Sequence, residues 1–122
     1  MTTFLVVDDS SVIRKIARKM LEEIGFAVNE AEDGEKAAQS CAAAMPDAVL
    51  LDWNMPNLDG IGFLRILRAS PGGDAPKVVF CTTESDFDHI AEALAAGADE
   101  YIFKPFDQHT LKTKLELAGV AP

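Results

Sequence analysis

The sequence predicts an α/β fold: a doubly wound, five-stranded parallel sheet with five helices divided between its two faces. Two observations carry this. Short apolar runs alternate with amphipathic segments of helical period along the 122 residues, a pattern that builds βα units joined by right-handed crossovers. Four of the runs stop abruptly at a polar residue: Phe4-Leu5-Val6-Val7 at Asp8-Asp9, Val49-Leu50-Leu51 at Asp52, Val78-Val79-Phe80-Cys81 at Thr82, and Tyr101-Ile102-Phe103 at Lys104. In a parallel sheet those ends share one edge, outside the carboxyl ends of the strands, where open α/β folds bind ligands.

The first strand, Phe4 to Val7, leads into a helix that Ser10 or Ser11 can cap. Its apolar residues Val12, Ile13, Ile16, Ala17, Met20, Leu21 and Ile24 recur at the helical period until Gly25 stops it. Phe26 to Ala31 reads as a short second strand, and Asp33-Gly34 turns into an alanine-rich helix reaching about Ala44, with Pro46 just beyond. The third strand, Ala48 to Leu51, opens onto the turn-rich segment Asp52 to Asp59. A third helix from about Gly60 to Ala69 packs Ile61, Leu64, Ile66 and Leu67 before Ser70-Pro71-Gly72-Gly73 breaks it. After the fourth strand, Ser85 with Asp88 three residues on reads as a variant capping box for a fourth helix that buries Ile90, Ala91 and Leu94 and ends at Gly97. Tyr101 to Phe103 is the fifth strand, and Asp107 caps a last helix with Leu111, Leu115 and Ala118 on one stripe and Gly119 behind it.

Residues 1–122 read as one domain with no output domain attached; a chain of this length buries roughly two-thirds of its unfolded surface without disulfide or structural metal. Asp and Glu number 20 against 11 Lys and Arg, a net charge of -9, which argues against nucleic acid as a partner. The most basic stretch, Arg14-Lys15 with Arg18-Lys19, reads as the solvated face of a helix. Met1-Thr2-Thr3 runs straight into a strand with no signal-like or membrane-spanning segment, so the expectation is a cytoplasmic protein without a membrane role. Cys41 and Cys81 have no Cys or His at metal-ligand spacing and read as small buried hydrophobes, while His89 and His109 read as surface helical residues.

Three carboxylates gathered at one sheet edge repel: two unit charges about 4 Å apart cost roughly 4 kcal/mol at an effective dielectric near 20. Lys104 offsets part of that, and a cation is the natural remedy for the rest. An all-oxygen set favours a hard ion such as Mg²⁺. A carboxylate beside such an ion is also a nucleophile that can form an acyl phosphate when a phosphoryl donor is delivered in line.

From Phe4 to about Leu117 the chain resembles the receiver domains of two-component response regulators, most nearly the single-domain chemotaxis type, on Asp8-Asp9, Asp52, the Asp52-to-Gly60 segment, Thr82 and Lys104-Pro105. The resemblance implies a flavodoxin-like strand order 2-1-3-4-5. It implies Asp52 as phosphoacceptor, Asp9, Asp52 and the main-chain carbonyl of Asn54 as Mg²⁺ ligands, and Asp8 acting through bound water. Thr82 and Lys104 would bind phosphoryl oxygens, and Lys104-Pro105 would be a cis peptide that aims the lysine. Thr82 and Tyr101 would be the switch pair that changes the face of the fourth helix, fifth strand and fifth helix, and Asn54 and Glu84 would tune the lifetime of the phosphoryl group. The implied donor is a phosphohistidine on a sensor histidine kinase or a histidine phosphotransfer protein. The output partner stays open: Ile90, Tyr101, Phe103 and Lys114 match the motor-binding face of chemotaxis regulators, but Phe87, Asp107 and Leu117 replace basic or neutral polar residues there.

Three readings follow. The first is a monomeric phosphorylation switch, not an enzyme beyond its own phosphorylation and dephosphorylation. The second is an aspartyl-nucleophile phosphatase, which needs Asp-x-Asp so that the second carboxylate can protonate the leaving group; Asn54 stands in that place and cannot. The third is an adaptor that never takes phosphate, against which the complete set of Asp8, Asp9, Asp52, Thr82 and Lys104 argues.

Overall fold

A computed structural model describes residues 1–122. Five strands, β1 (Thr3–Val7), β2 (Ala27–Ala31), β3 (Ala48–Asp52), β4 (Lys77–Thr82) and β5 (Glu100–Phe103), alternate with α1 (Ser11–Ile24), α2 (Gly34–Ala43), α3 (Gly60–Ala69), α4 (Asp88–Ala96) and α5 (Gln108–Ala118). All pairings are parallel and the order is β2-β1-β3-β4-β5, the expected doubly wound architecture with the expected strand order. No helix is long and apolar enough to cross a membrane.

The pleat sends alternate side chains to opposite faces, and each face has its own core. Phe4, Val6, Leu50, Val79, Cys81 and Ile102 join Ala17, Leu21, Leu111 and Leu115 beneath α1 and α5. Leu5, Val7, Val49, Leu51, Val78 and Phe80 join Ala37, Phe63, Leu64 and Ala93 beneath α2, α3 and α4. Caps hold the helix starts where the sequence places them: Ser10, Asp33, Asp59 and Asp107 each accept a hydrogen bond from a first-turn amide.

The fourth helix corrects the sequence reading twice. Ser85 does not cap it; the Ser85 hydroxyl pairs with Thr83, and a 3-10 turn over Glu84–Asp86 leads into α4 with no side-chain cap. Its buried residue is Ala93, while Ala91 and Leu94 are exposed and Ile90 is half-buried. The helix is apolar on two sides, so periodicity alone chose the wrong one; the small side chains of Ala93 and Ala96 let the helix approach the sheet closely. Smaller corrections have the same cause. In α3 Phe63 is buried and Ile66 exposed, and in α1 Val12 and Ile16 are exposed, because the apolar stripes are wider than the sheet face beneath them.

Candidate functional site

The same pleat builds the site. Asp8, Asp52 and Lys104 continue the alternation of Val6, Leu50 and Ile102, so all three rise on the α1/α5 side of the sheet edge. Thr82 continues Phe80 and rises on the other side. Carboxylate oxygens of Asp8, Asp9 and Asp52 all lie within 4.8 Å of one another. Lys104 Nζ donates to Asp8 Oδ2 at 2.7 Å and to Asp52 Oδ1 at 3.1 Å. The other Asp8 oxygen accepts from the Ser10 amide, so both are engaged, whereas Asp9 is exposed. The Lys104-Pro105 bond is cis.

Burial sets the electrostatics. Asp52 is 7% exposed, and this burial, opposed by Lys104 and reinforced by Asp8 and Asp9, pushes its carboxyl up to about 6. Burial alone would lower the Lys104 ammonium, but its hydrogen bond to Asp8 and the charge of Asp52 outweigh this and raise it above the ordinary lysine range. Cys81, paired with Asp52 across the strands, is buried and its thiol is pushed up to about 12, which leaves it inert.

Thr82 is 1% exposed and its hydroxyl has no hydrogen-bond partner. With Asp9, Asp52, Asn54 and Lys104 it surrounds a cavity of about 260 Å³, whose wall Trp53, Thr83 and Asp86 complete. A buried orphan hydroxyl beside an ammonium and three carboxylates marks a place where an oxygen-rich ligand fits. The oxygen-only donor set likewise fits a hard divalent cation.

The loop after Asp52 is held from below. Asp59 caps α3, and the Gly60 amide donates to the Trp53 carbonyl at 2.9 Å. A β-carbon at Gly60 would collide with the Asp52 carbonyl oxygen and the Trp53 backbone, so only glycine lets α3 start this close to the end of β3. Asn57 adopts a left-handed φ of 69° and donates to Asp33 at 2.9 Å, tying the loop to the cap of α2.

Of the remaining expected residues, Asn54 lines the cavity while Glu84 sits exposed at the start of the 3-10 turn, outside the wall. Tyr101 is half-buried on the same sheet face as Thr82, with Lys114 Nζ 4.0 Å above its ring and Phe103 edge-on at 5.4 Å. Two sequence readings are corrected here. Arg14 is not a solvated face residue: it donates to the Asp8 carbonyl at 2.7 Å and pairs with Glu30, bracing the Asp8-Asp9 loop. His89 is not a free surface histidine, since its ring stacks on Trp53 at 3.7 Å. The Arg14–Glu30 pair and the Trp53–His89 stack leave no local signal, because those partners lie 16 or more residues apart and meet only in the fold.

Residues 4–116 match the model of the response regulator receiver domain. The chain is 39% identical over 113 residues to the chemotaxis protein CheY of Pseudomonas aeruginosa, covering 92% of this chain and 91% of that protein. To CheY-3 of Vibrio cholerae it is 40% identical, over 92% of this chain and 87% of that one. The solved structure of Vibrio cholerae CheY4 superposes with a TM-score of 0.88 at 32% identity, covering 95% of this chain and 97% of the other. Carboxylates on two strand ends, threonine and lysine on two more, and a sheet ordered to bring them together agree with that match across almost the whole length: the chain belongs to the response regulator receiver domain family.

Proposed function

We propose that this receiver is a stand-alone, monomeric, cytoplasmic phosphorylation switch of two-component signalling. Asp52 takes a phosphoryl group from a phosphohistidine on a sensor histidine kinase or a histidine phosphotransfer protein, and the face of α4, β5 and α5 then changes for an output partner. The observation that carries this is the Thr82 hydroxyl, buried and without a partner at a cavity it shares with Asp52 and Lys104.

Phosphoryl transfer asks the protein mainly for positioning and charge neutralisation. Asp52 supplies the attacking oxygen, and Lys104 Nζ, 3.1 Å from it, and the Thr82 hydroxyl bind phosphoryl oxygens as they arrive. Asp9, Asp52 and the Asn54 main-chain carbonyl would hold Mg²⁺. Asp8, its oxygens already engaged by Ser10 and Lys104, would act through bound water. Bound there, the ion supplies positive charge against the carboxylates and the incoming phosphoryl oxygens.

The new group adds about 1.5 to 2 negative charges. Drawing Thr82 toward it pulls the loop before α4. Tyr101, on the same sheet face, then turns its ring into the room that Thr82 leaves, away from Lys114. The surface so altered is already apolar: Phe87 is 60% exposed and Leu94 is exposed, an arrangement that suits partner binding.

The test is incubation with Mg²⁺ and a small acyl-phosphate donor. One phosphoryl group per chain should appear by intact mass and none on Asp52→Asn, with a lifetime set by Asn54 and Glu84 and well short of hours. Rapid turnover of simple phosphoesters would replace this reading with a phosphatase.

A further inference from the structure

We propose that Asp86 is a specificity-determining residue of this site: its carboxylate in the cavity wall selects cationic P–N phosphodonors, whose leaving group departs neutral, over acyl phosphates. The inference rests on the reading of Asp52 as phosphoacceptor. Asp86 is half-buried, and with Asp9 and Asp52 it is one of three carboxylates lining the cavity. It is held in place, because Thr83 Oγ1 donates to Asp86 Oδ2 at 3.0 Å while Ser85 Oγ lies 2.9 Å from the same hydroxyl. Thr83 is thus its positioning residue.

No Lys or Arg pairs with this carboxylate. Lys104, the one cation in the cavity wall, is committed to Asp8 and Asp52. Asp8, Asp9 and Asp52 together balance that ammonium and one divalent cation, so Asp86 tips the site negative. Glu84 and Asp88, the neighbouring carboxylates on the segment, are exposed and stand outside the wall.

That excess charge treats two donor classes oppositely. With a P–N donor, the P–N bond breaks as the bond from the Asp52 oxygen to phosphorus forms. The bonding pair goes to the leaving nitrogen of a cationic donor, protonated on that nitrogen in phosphoramidate and on the other ring nitrogen in phosphohistidine, so the leaving group departs neutral. The positive charge of that group, present in the bound donor and partly retained in the transition state, is attracted by Asp86. With an acyl phosphate, the P–O bond breaks and the pair leaves on a carboxylate, whose growing negative charge Asp86 opposes. A phosphohistidine belongs to the first class, so the wall residue favours a protein donor over the small acyl phosphates of metabolism.

The experiment compares second-order rates of phosphorylation by phosphoramidate and by acetyl phosphate at saturating Mg²⁺, followed by intact mass. The ratio of the two rates cancels any change in folded fraction or metal occupancy. Asp86→Asn keeps the shape and can still accept the Thr83 hydroxyl. It should lower the phosphoramidate-to-acetyl-phosphate ratio about tenfold, as expected for removal of a focused charge at a site mouth, and Thr83→Ala should lower it in the same direction. An unchanged ratio in Asp86→Asn overturns the role of Asp86. Uptake from neither donor by the wild-type chain overturns the phosphoacceptor reading instead.

Discussion

At the scale of single residues, Thr82 separates stability from function. A buried hydroxyl without a partner costs about 1–3 kcal/mol of desolvation that no hydrogen bond returns. Thr82→Val keeps the shape and deletes the orphan group, so the variant should fold at least as stably as wild type, with a gain of about 1 kcal/mol in denaturant unfolding. On the proposed function it should still take phosphate, since Asp52 is untouched. The switch should fail, because no hydroxyl remains to follow the phosphoryl group. The measurement is a pair of spectra of the β4–α4 loop with and without beryllium fluoride. A variant clearly less stable than wild type would mean the hydroxyl is bonded in solution. Asp52, Thr82 and Lys104 were legible in the sequence because each ends an apolar run and the period of two assigns it a face. The place of Asp86 in the cavity wall, the Arg14–Glu30 pair and the His89–Trp53 stack were not, since they come from elements brought together by tertiary packing.

At the scale of elements, the positions of strands and capped helices were read correctly because periodicity and punctuation agree there, although Val12, Ile16 and Ile66 were assigned to buried stripes and are exposed. The α4 segment was misread because two apolar stripes compete and sequence cannot say which one meets the sheet. That ambiguity follows from the helix having two faces to satisfy: Ala93 toward β4, and Phe87, Ile90 and Leu94 outward. Trp53 bridges the β3–α3 loop and α4. It sits in the loop that follows Asp52, and its ring stacks on His89 of α4 with the planes 25° apart. A change in either loop must alter the stack, and Trp53 is the only tryptophan. Intrinsic fluorescence should therefore change saturably with Mg²⁺ and again with beryllium fluoride, and Asp52→Asn should lose the second change. His89→Ala should shift the starting emission while leaving both saturation midpoints in place. A wild-type signal indifferent to both additions would put the metal and phosphoryl site away from Asp52.

At the scale of the whole molecule, the site stores the cost of a buried carboxylate that the fold must withstand, and pH exposes its size. The Asp52 carboxyl lies near 6 in the folded chain against 3.8 ordinarily, with burial as the main cause. Between those values the folded state holds a proton that the unfolded chain has lost, so this group destabilises the fold as pH rises through the window, by about 3 kcal/mol once pH exceeds 6. Glu30, whose carboxyl is lowered by its hydrogen bond to Arg18, acts oppositely: its stabilisation is present above the ordinary range and lost in acid. Comparison with Asp52→Asn cancels Glu30 and isolates Asp52. In chelator, Asp52→Asn should be more stable than wild type at pH 7, with the gap closing as pH falls toward 4. Mg²⁺ should act in the reverse sense. Above pH 6 it stabilises wild type, by about 2.7 kcal/mol at 100 times its dissociation constant. Below 6 protons compete for Asp52 and the benefit should fade. The exposed Asp9 carries less of the repulsion than Asp52, so Asp9→Asn should weaken the Mg²⁺ effect while raising metal-free stability by less than Asp52→Asn does. Melting curves for the three proteins at pH 4.5 and 7, with Mg²⁺ and with chelator, test every sign. A wild-type chain that outlasts Asp52→Asn in chelator at pH 7 would show that Lys104 by itself offsets the burial of the Asp52 carboxylate and the charges beside it.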